Sequence, residues 1–161
     1  MSYVYGAIST GAIYSTSAVL SSLGSDYSYH FAAYDVWNAN ATGAPTGLVD
    51  APDVTNNAPT LSWTGETNYT SDGLNPETGN TATSFIYRVK YTDADNDAPL
   101  SGYPKVHIKK GGVEISGSPL AMTYVSGAYN TGAIYTYSKT LAATGTDYTY
   151  YFEARDVNSA Q

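Results

Sequence analysis

Several stretches of this chain alternate apolar and polar residues with a period of two. From Phe85 to Tyr91, the residues Phe85, Tyr87, Val89 and Tyr91 alternate with Ile86, Arg88 and Lys90. Successive side chains leave a strand on opposite sides, so this spacing predicts a strand with one buried face. Tyr103 to Lys109 repeats the pattern, with Pro104, Val106 and Ile108 on one side and Lys105, His107 and Lys109 on the other. Gly111-Gly112 then reads as a hairpin turn into Val113-Glu114-Ile115. Ala133 to Leu141 and Tyr148 to Ala154 predict two later strands, the last turning Tyr148, Tyr150, Phe152 and Ala154 inward. Apolar residues at helical spacing with capping signals are absent, so no helix is expected. Short strands separated by turns predict an all-β fold, an antiparallel sandwich.

The chain also repeats itself. Tyr3 to Asn40 and Tyr124 to Gln161 align without a gap at an offset of 121 residues, and 20 of the 38 aligned positions are identical. Chance does not produce such a match, and self-similarity at a fixed period is the mark of a repeat architecture. At this offset Met1 falls on Met122 and Ser2 on Thr123. Met1 therefore reads as an internal methionine, and the chain as a window from a longer repetitive protein. The polar stretch Thr55-Asn56-Asn57-Ala58-Pro59 precedes an alternating apolar segment and reads as a linker. The expected organisation is thus residues 1–54 as the C-terminal part of one module, 55–59 as the linker, and 60–161 as a second module. On this phasing the first module draws its last strand from Ala41 to Val54, and the second lacks the equivalent strand.

Composition narrows the function classes. The chain has 161 residues, 14 Asp plus Glu against 7 Lys plus Arg, and a net charge of −7. An acidic balance argues against a nucleic-acid partner, whose phosphate backbone calls for clustered Lys and Arg. Residues 1–54 carry four acids and no Lys or Arg, while 57–161 carry ten acids and seven bases. There is no Cys, which excludes disulfides, thiol catalysis and Cys-ligated zinc. No apolar run reaches the roughly 18 residues of a membrane helix. The 17 Tyr, with abundant Thr, Ser, Asn and Gly, favour strands and turns.

At Leu141 to Tyr150, and again at Leu20 to Tyr29, a Leu, a corner around Gly145 or Gly24, and a Tyr opening a strand of alternating aromatics follow one another. This arrangement resembles the tyrosine corner of immunoglobulin-like and fibronectin type III-like domains. The resemblance implies that the hydroxyls of Tyr27 and Tyr148 close their turns by bonding to backbone upstream. The YTDADNDAP run, the GYPKVHI segment and the YYFEARD strand resemble the Ig-like tandem repeats of very large bacterial and archaeal surface proteins. What this implies is a tandem of Ig-like modules, one partial and one nearly complete, at the cell surface or outside the cell. It implies no enzymatic activity.

Candidate chemistry centres on Asp93-Ala94-Asp95-Asn96-Asp97. Asp93, Asp95 and Asp97 at alternate positions in a loop can converge on Ca2+, which takes oxygen ligands from flexible loops. The run lacks the Gly and distal Glu of an EF-hand. Further oxygens are expected from Asp156 or Glu153, or from Asp72 and Glu77. The plainer reading is a solvated turn in which Asp and Asn bond their own backbone. His30 and His107 sit on expected outward faces and read as lone surface histidines. Asn40-Ala41-Thr42 and Asn68-Tyr69-Thr70 are glycosylation acceptor patterns, meaningful in an exported protein. Trp37, Trp63 and the surplus tyrosines suggest either a sugar-stacking platform or packing, and the place of Trp63 just after the linker favours packing. Nucleophile elbows, phosphate loops and dinucleotide fingerprints are absent, so an enzyme is not expected.

The expected function is that of a structural repeat module in an extracellular filament, stalk or surface coat. Its partners are identical or homologous neighbouring modules, joined covalently or by strand addition. The alternative is an adhesin-type module that binds a glycan or receptor.

Overall fold

A computed structural model describes residues 1–158 of the chain; residues 159–161, the end of the expected second module, lie outside the described residues. The protein is all-β and antiparallel, with one short 3-10 turn at Ala44–Thr46. It divides into two compact units, Met1–Thr55 and Asn56–Gln161. No helix among the described residues is long and apolar enough to cross a membrane.

The first unit holds β1 (Ser2–Ala7), β2 (Gly11–Ser15), β3 (Ser28–Tyr29) and β4 (Val49–Asp50). β1 pairs with β2, and β3 with β4, as two separate two-stranded sheets. The second unit holds β5 (Thr60–Ser62), β6 (Leu74–Asn75), β7 (Ser84–Thr92), β8 (Lys105–Lys110) and β9 (Val113–Glu114). It continues with β10 (Leu120–Ala121), β11 (Thr123–Ser126), β12 (Ala133–Thr140) and β13 (Tyr148–Glu153). One sheet runs β11-β12-β7-β5, with β6 also on β7. The other runs β10-β8-β13, with β9 also on β8.

The period-two alternation dictates which residues meet between these sheets. Phe85, Tyr87, Val89 and Tyr91 of β7 are buried while the residues between them are half-buried. Val106 and Ile108 of β8, Ala133 and Tyr135 of β12, Met122 and Leu141 complete one core. Tyr148, Tyr150 and Phe152 of β13 pack onto it from the opposite sheet, with the Tyr87 and Tyr150 rings edge to face at 5.3 Å. Gly73 is required where the chain crosses this layer: a Cβ there would lie 2.5 Å from the Arg88 carbonyl and 2.7 Å from the Phe152 ring. The glycine pair 111–112 turns β8 into β9, with Lys109 opposite Glu114 and Lys110 opposite Val113.

The repeated segments fold alike in detail. β1 and β2 pair Ser2 with Ser15, Tyr3 with Tyr14 and Tyr5 with Ile13, with a bulge between Tyr3 and Tyr5. β11 and β12 pair Thr123 with Thr136, Tyr124 with Tyr135 and Ser126 with Ile134, with a bulge between Tyr124 and Ser126. Every one of these residues has its counterpart 121 positions on. Gly6 and Gly127, just past the bulges, both have φ +98°, the left-handed region that glycine reaches without steric cost.

Candidate functional site

The Asp93 to Asp97 loop follows directly from β7, the strand at the centre of its sheet, and is fixed by its own carboxylates. Oδ1 of Asp93 accepts from the backbone N–H of Asp95 at 2.9 Å and of Asp97 at 3.0 Å, while Asn96 takes a left-handed φ of +64°. This is the Asx-bonded turn that the residue types favour. The backbone N–H of Asp93 donates to Tyr129 at 2.8 Å, which holds the loop against the turn before β12.

The three carboxylates also come together. Asp93, Asp95 and Asp97 each offer an oxygen within 4.8 Å of the others, Asp93 being fully buried. Asp95 accepts from the backbone N–H and side-chain amide of Asn57, at 2.6 and 2.8 Å. Those two bonds, the backbone one first, hold the Asp95 carboxyl below its ordinary range. Asp97 accepts from Asn158 at 2.6 Å. The donors that Asp93, Asp95 and Asp97 meet among the described residues are all neutral.

Asp156, also fully buried, joins this end of the unit. Its Oδ2 accepts from Asn56 at 2.7 Å and its Oδ1 from the N–H of Asn158 at 2.8 Å. Burial first, then the carboxylates of Asp93 and Asp156, push the Tyr91 hydroxyl far above its ordinary value, so it stays a neutral donor. Asn56 and Asn57, in the polar stretch read as linker, are therefore bound into the second unit. Of the other expected oxygen donors, Glu153 is turned to His107 and Tyr103, and neither Asp72 nor Glu77 belongs to the three-carboxylate group.

His107 departs from the sequence expectation. It does face outward from β8, but it is only 9 % exposed. Its Nδ1 lies 3.0 Å from Glu114, its Nε2 3.0 Å from Glu153, and the Tyr151 ring stacks on it at 4.2 Å. The cause is tertiary: β9 and β13 flank β8 on either side, β9 bringing Glu114 to the imidazole and β13 bringing Glu153 and the Tyr151 ring. Ser118 donates to Glu114, the largest influence holding that carboxyl low, and His107 does the same for Glu153. His30 is exposed and lies outside any strand. The hairpin register was the available signal, since Glu114 opposite Lys109 is a neighbour of His107 on the same face.

Both corner tyrosines bond backbone five residues upstream. Tyr27 donates to the Ser22 carbonyl at 2.8 Å and Tyr148 to the Ala143 carbonyl at 2.9 Å. Sequence reasoning missed a second repeated hydroxyl bond, from Tyr3 to Gly6 and from Tyr124 to Gly127, each 2.6 Å, which staples the bulge. Asn40 and Asn68 are exposed, Asn68 with φ +70°. Trp63 packs edge to face on Phe152 at 6.5 Å, whereas Trp37 is almost fully exposed.

The chain matches no protein-family model and no curated protein.

Proposed function

We propose that the chain is a structural repeat module of an extracellular filament, stalk or surface coat, built of tandem Ig-like units whose neighbours are further copies of the same module. One observation carries this reading. Segments 121 residues apart reproduce the same bulged hairpin, the same corner hydroxyl bond and the same aromatic pair. The Tyr29–Phe31 and Tyr150–Phe152 rings both meet at 5.6 Å, edge to face. A unit copied at that level of backbone detail is a building element, and repetition of building elements makes extended assemblies. The reading gives the chain no catalytic role. Micrographs of the native particle test it: filaments, stalks or a regular coat are expected, and a compact intracellular particle would overturn it. A glycan- or receptor-binding module gains little from Trp63, which is engaged in packing.

Within this reading, the Asp93, Asp95 and Asp97 loop is where a calcium ion would stiffen the module end, because clustered carboxylates with neutral donors repel one another until a hard cation joins them. A chelator is expected to lower the melting temperature of the chain, and Asp95→Ala to abolish that sensitivity. Identical melting with and without chelator rejects the ion and leaves the Asx-bonded turn as the role of these residues.

A further inference from the structure

His107 meets a carboxylate at each ring nitrogen. Nδ1 faces Oε1 of Glu114 on β9 and Nε2 faces Oε2 of Glu153 on β13, each at 3.0 Å. An ionised carboxylate only accepts, so both nitrogens must donate, and a ring with two N–H groups is the imidazolium. Both glutamates are held toward the ionised form, Ser118 acting foremost on Glu114 and His107 foremost on Glu153. A ring with one proton turns a lone pair toward one of these carboxylates, at a residue only 9 % exposed, and a buried polar group left unmatched is costly.

From the ring a chain of hydrogen bonds runs to the backbone of β8. Ser118 donates to Oε2 of Glu114, and the Ile108 N–H donates to Ser118 Oγ at 2.9 Å. The Ile115 N–H donates to the Ile108 carbonyl at 3.0 Å. Both backbone groups of Ile108 thus depend on the β9 hairpin, which Glu114 anchors to the ring. The two flanks are not equally firm. β13 runs beside β8 from Tyr148–Lys110 to Glu153–Lys105, whereas β9 meets it at Lys109–Glu114 and Lys110–Val113. Glu153 also has the Tyr103 hydroxyl at 3.3 Å and Arg155 at 3.4 Å, while Glu114 has Lys109 at 4.0 Å. The groups facing the ring are therefore Glu114 from β9, Glu153 and the stacked Tyr151 from β13, and Lys105 and Lys109 two positions away on β8, with Arg155 beyond Glu153. When the ring gives up a proton, β9 is the flank that yields.

We propose that His107 is a proton-operated latch. With both ring nitrogens protonated it closes the β9 hairpin over β8, and loss of one proton releases Glu114, Ser118 and the backbone groups of Ile108. A proton bound in the closed form and absent from the open one favours closure as pH falls and opening as it rises. The closed range ends where the glutamates themselves take up protons. Above the transition the freed N–H and carbonyl of Ile108 form a short unpaired strand edge, the kind of backbone that pairs with another chain. The latch is built within one unit and stands whether or not the module assembles with copies of itself.

The test follows the full chain by NMR through one pH series. It reads the ring nitrogens of His107, with the exposed His30 as internal reference, and the exchange protection of the Ile108 and Ile115 amides, each relative to its unstructured rate. Two ring N–H groups are expected at the acid end. Protection of both amides should then fall by about tenfold or more, the weight of a hydrogen bond to a charged group, with the midpoint at which the ring titrates. The β13 amides that bond β8 should keep their protection. In Glu114→Gln the pH step should vanish, because an amide can accept from a ring N–H or donate to a bare ring nitrogen and so holds the hairpin in both states. A ring with one proton at every pH at which the chain is folded overturns the proposal. Protection that stays level through the ring's titration, or falls equally in β13, overturns it too, as does the same step in Glu114→Gln.

Discussion

The two units contain the same segment in two surroundings. Tyr14 and Tyr135 sit at the same register position of the same bulged hairpin and meet the rings of Tyr3 and Tyr124 at 5.8 and 5.7 Å. Yet Tyr14 is 48 % exposed and Tyr135 only 6 %. Ala12 and Ala133, Leu20 and Leu141, and Phe31 and Phe152 differ in the same sense. In the second unit β7 pairs along all of β12, and β8 backs β13. Among the described residues the first unit holds no counterpart of β7 or β8. The difference teaches that the hairpin and the corner are local devices, closed by glycine and by tyrosine hydroxyls, while burial is supplied by strands distant in sequence.

Substituting the paired tyrosines offers the sharpest way to break that comparison. Tyr135→Ala should destabilise the second unit by about 3–5 kcal/mol, the cost of removing a buried aromatic ring. Tyr14→Ala should leave that unit within about 0.5 kcal/mol of the parent, as surface changes do. Urea unfolding followed by Trp63 fluorescence reads this, because Trp63 packs on Phe152 in the second unit. Equal losses in the two variants would show that the copies are not energetically distinct.

The corner hydroxyls probe the local side of the comparison. Tyr148→Phe is expected to cost the second unit about 1 kcal/mol, the net worth of one hydrogen bond. Tyr27→Phe should leave the Trp63 transition where it was. Unchanged stability of Tyr148→Phe would remove the corner from the account of this fold.

A smaller effect separates the units by pH. Glu114 and Glu153 are held below their ordinary value of 4.5, by Ser118 and His107 foremost, and Lys110 likewise lowers Asp147. A carboxyl whose folded value is depressed stabilises fully above its unfolded value and loses that contribution as pH falls through the folded one. The second unit should therefore lose stability as pH drops below about 4.5, and Glu153→Gln should flatten that slope. In the first unit Glu153 is replaced by Ala32, and residues 1–54 contain no Lys or Arg, so its unfolding should depend less on acid. A Trp63 midpoint that does not move between neutral and acid pH would contradict the cause given for these shifts.

Much of this was legible in the residues. The alternation in 85–91 and 103–109 predicted which faces of β7 and β8 are buried, because a strand offers only two faces. The glycine pair at 111–112 predicted the β8–β9 hairpin, because its backbone must turn through positive φ. His107 was misjudged for a reason that alternation cannot convey. A residue on an outward face is still covered when neighbouring strands bring side chains across it, and Glu153 and Tyr151 arrive from 46 and 44 positions away. Asn56 and Asn57 read as linker because Asn-Asn is a turn signal, but their partners, Asp156 and Asp95, lie far along the chain.

By itself, then, the sequence determined the all-β class and, by comparison of the chain with itself, the 121-residue copy, together with the β8–β9 hairpin and the turns closed by Tyr27 and Tyr148, which depend on residues within a few positions of one another. Only the tertiary structure decided which copy of each tyrosine is buried, that His107 lies between two glutamates, and that Asn56 and Asn57 bond the carboxylates of Asp156 and Asp95. Those outcomes depend on which distant strands pair, and pairing partners leave no mark in the local pattern of either strand.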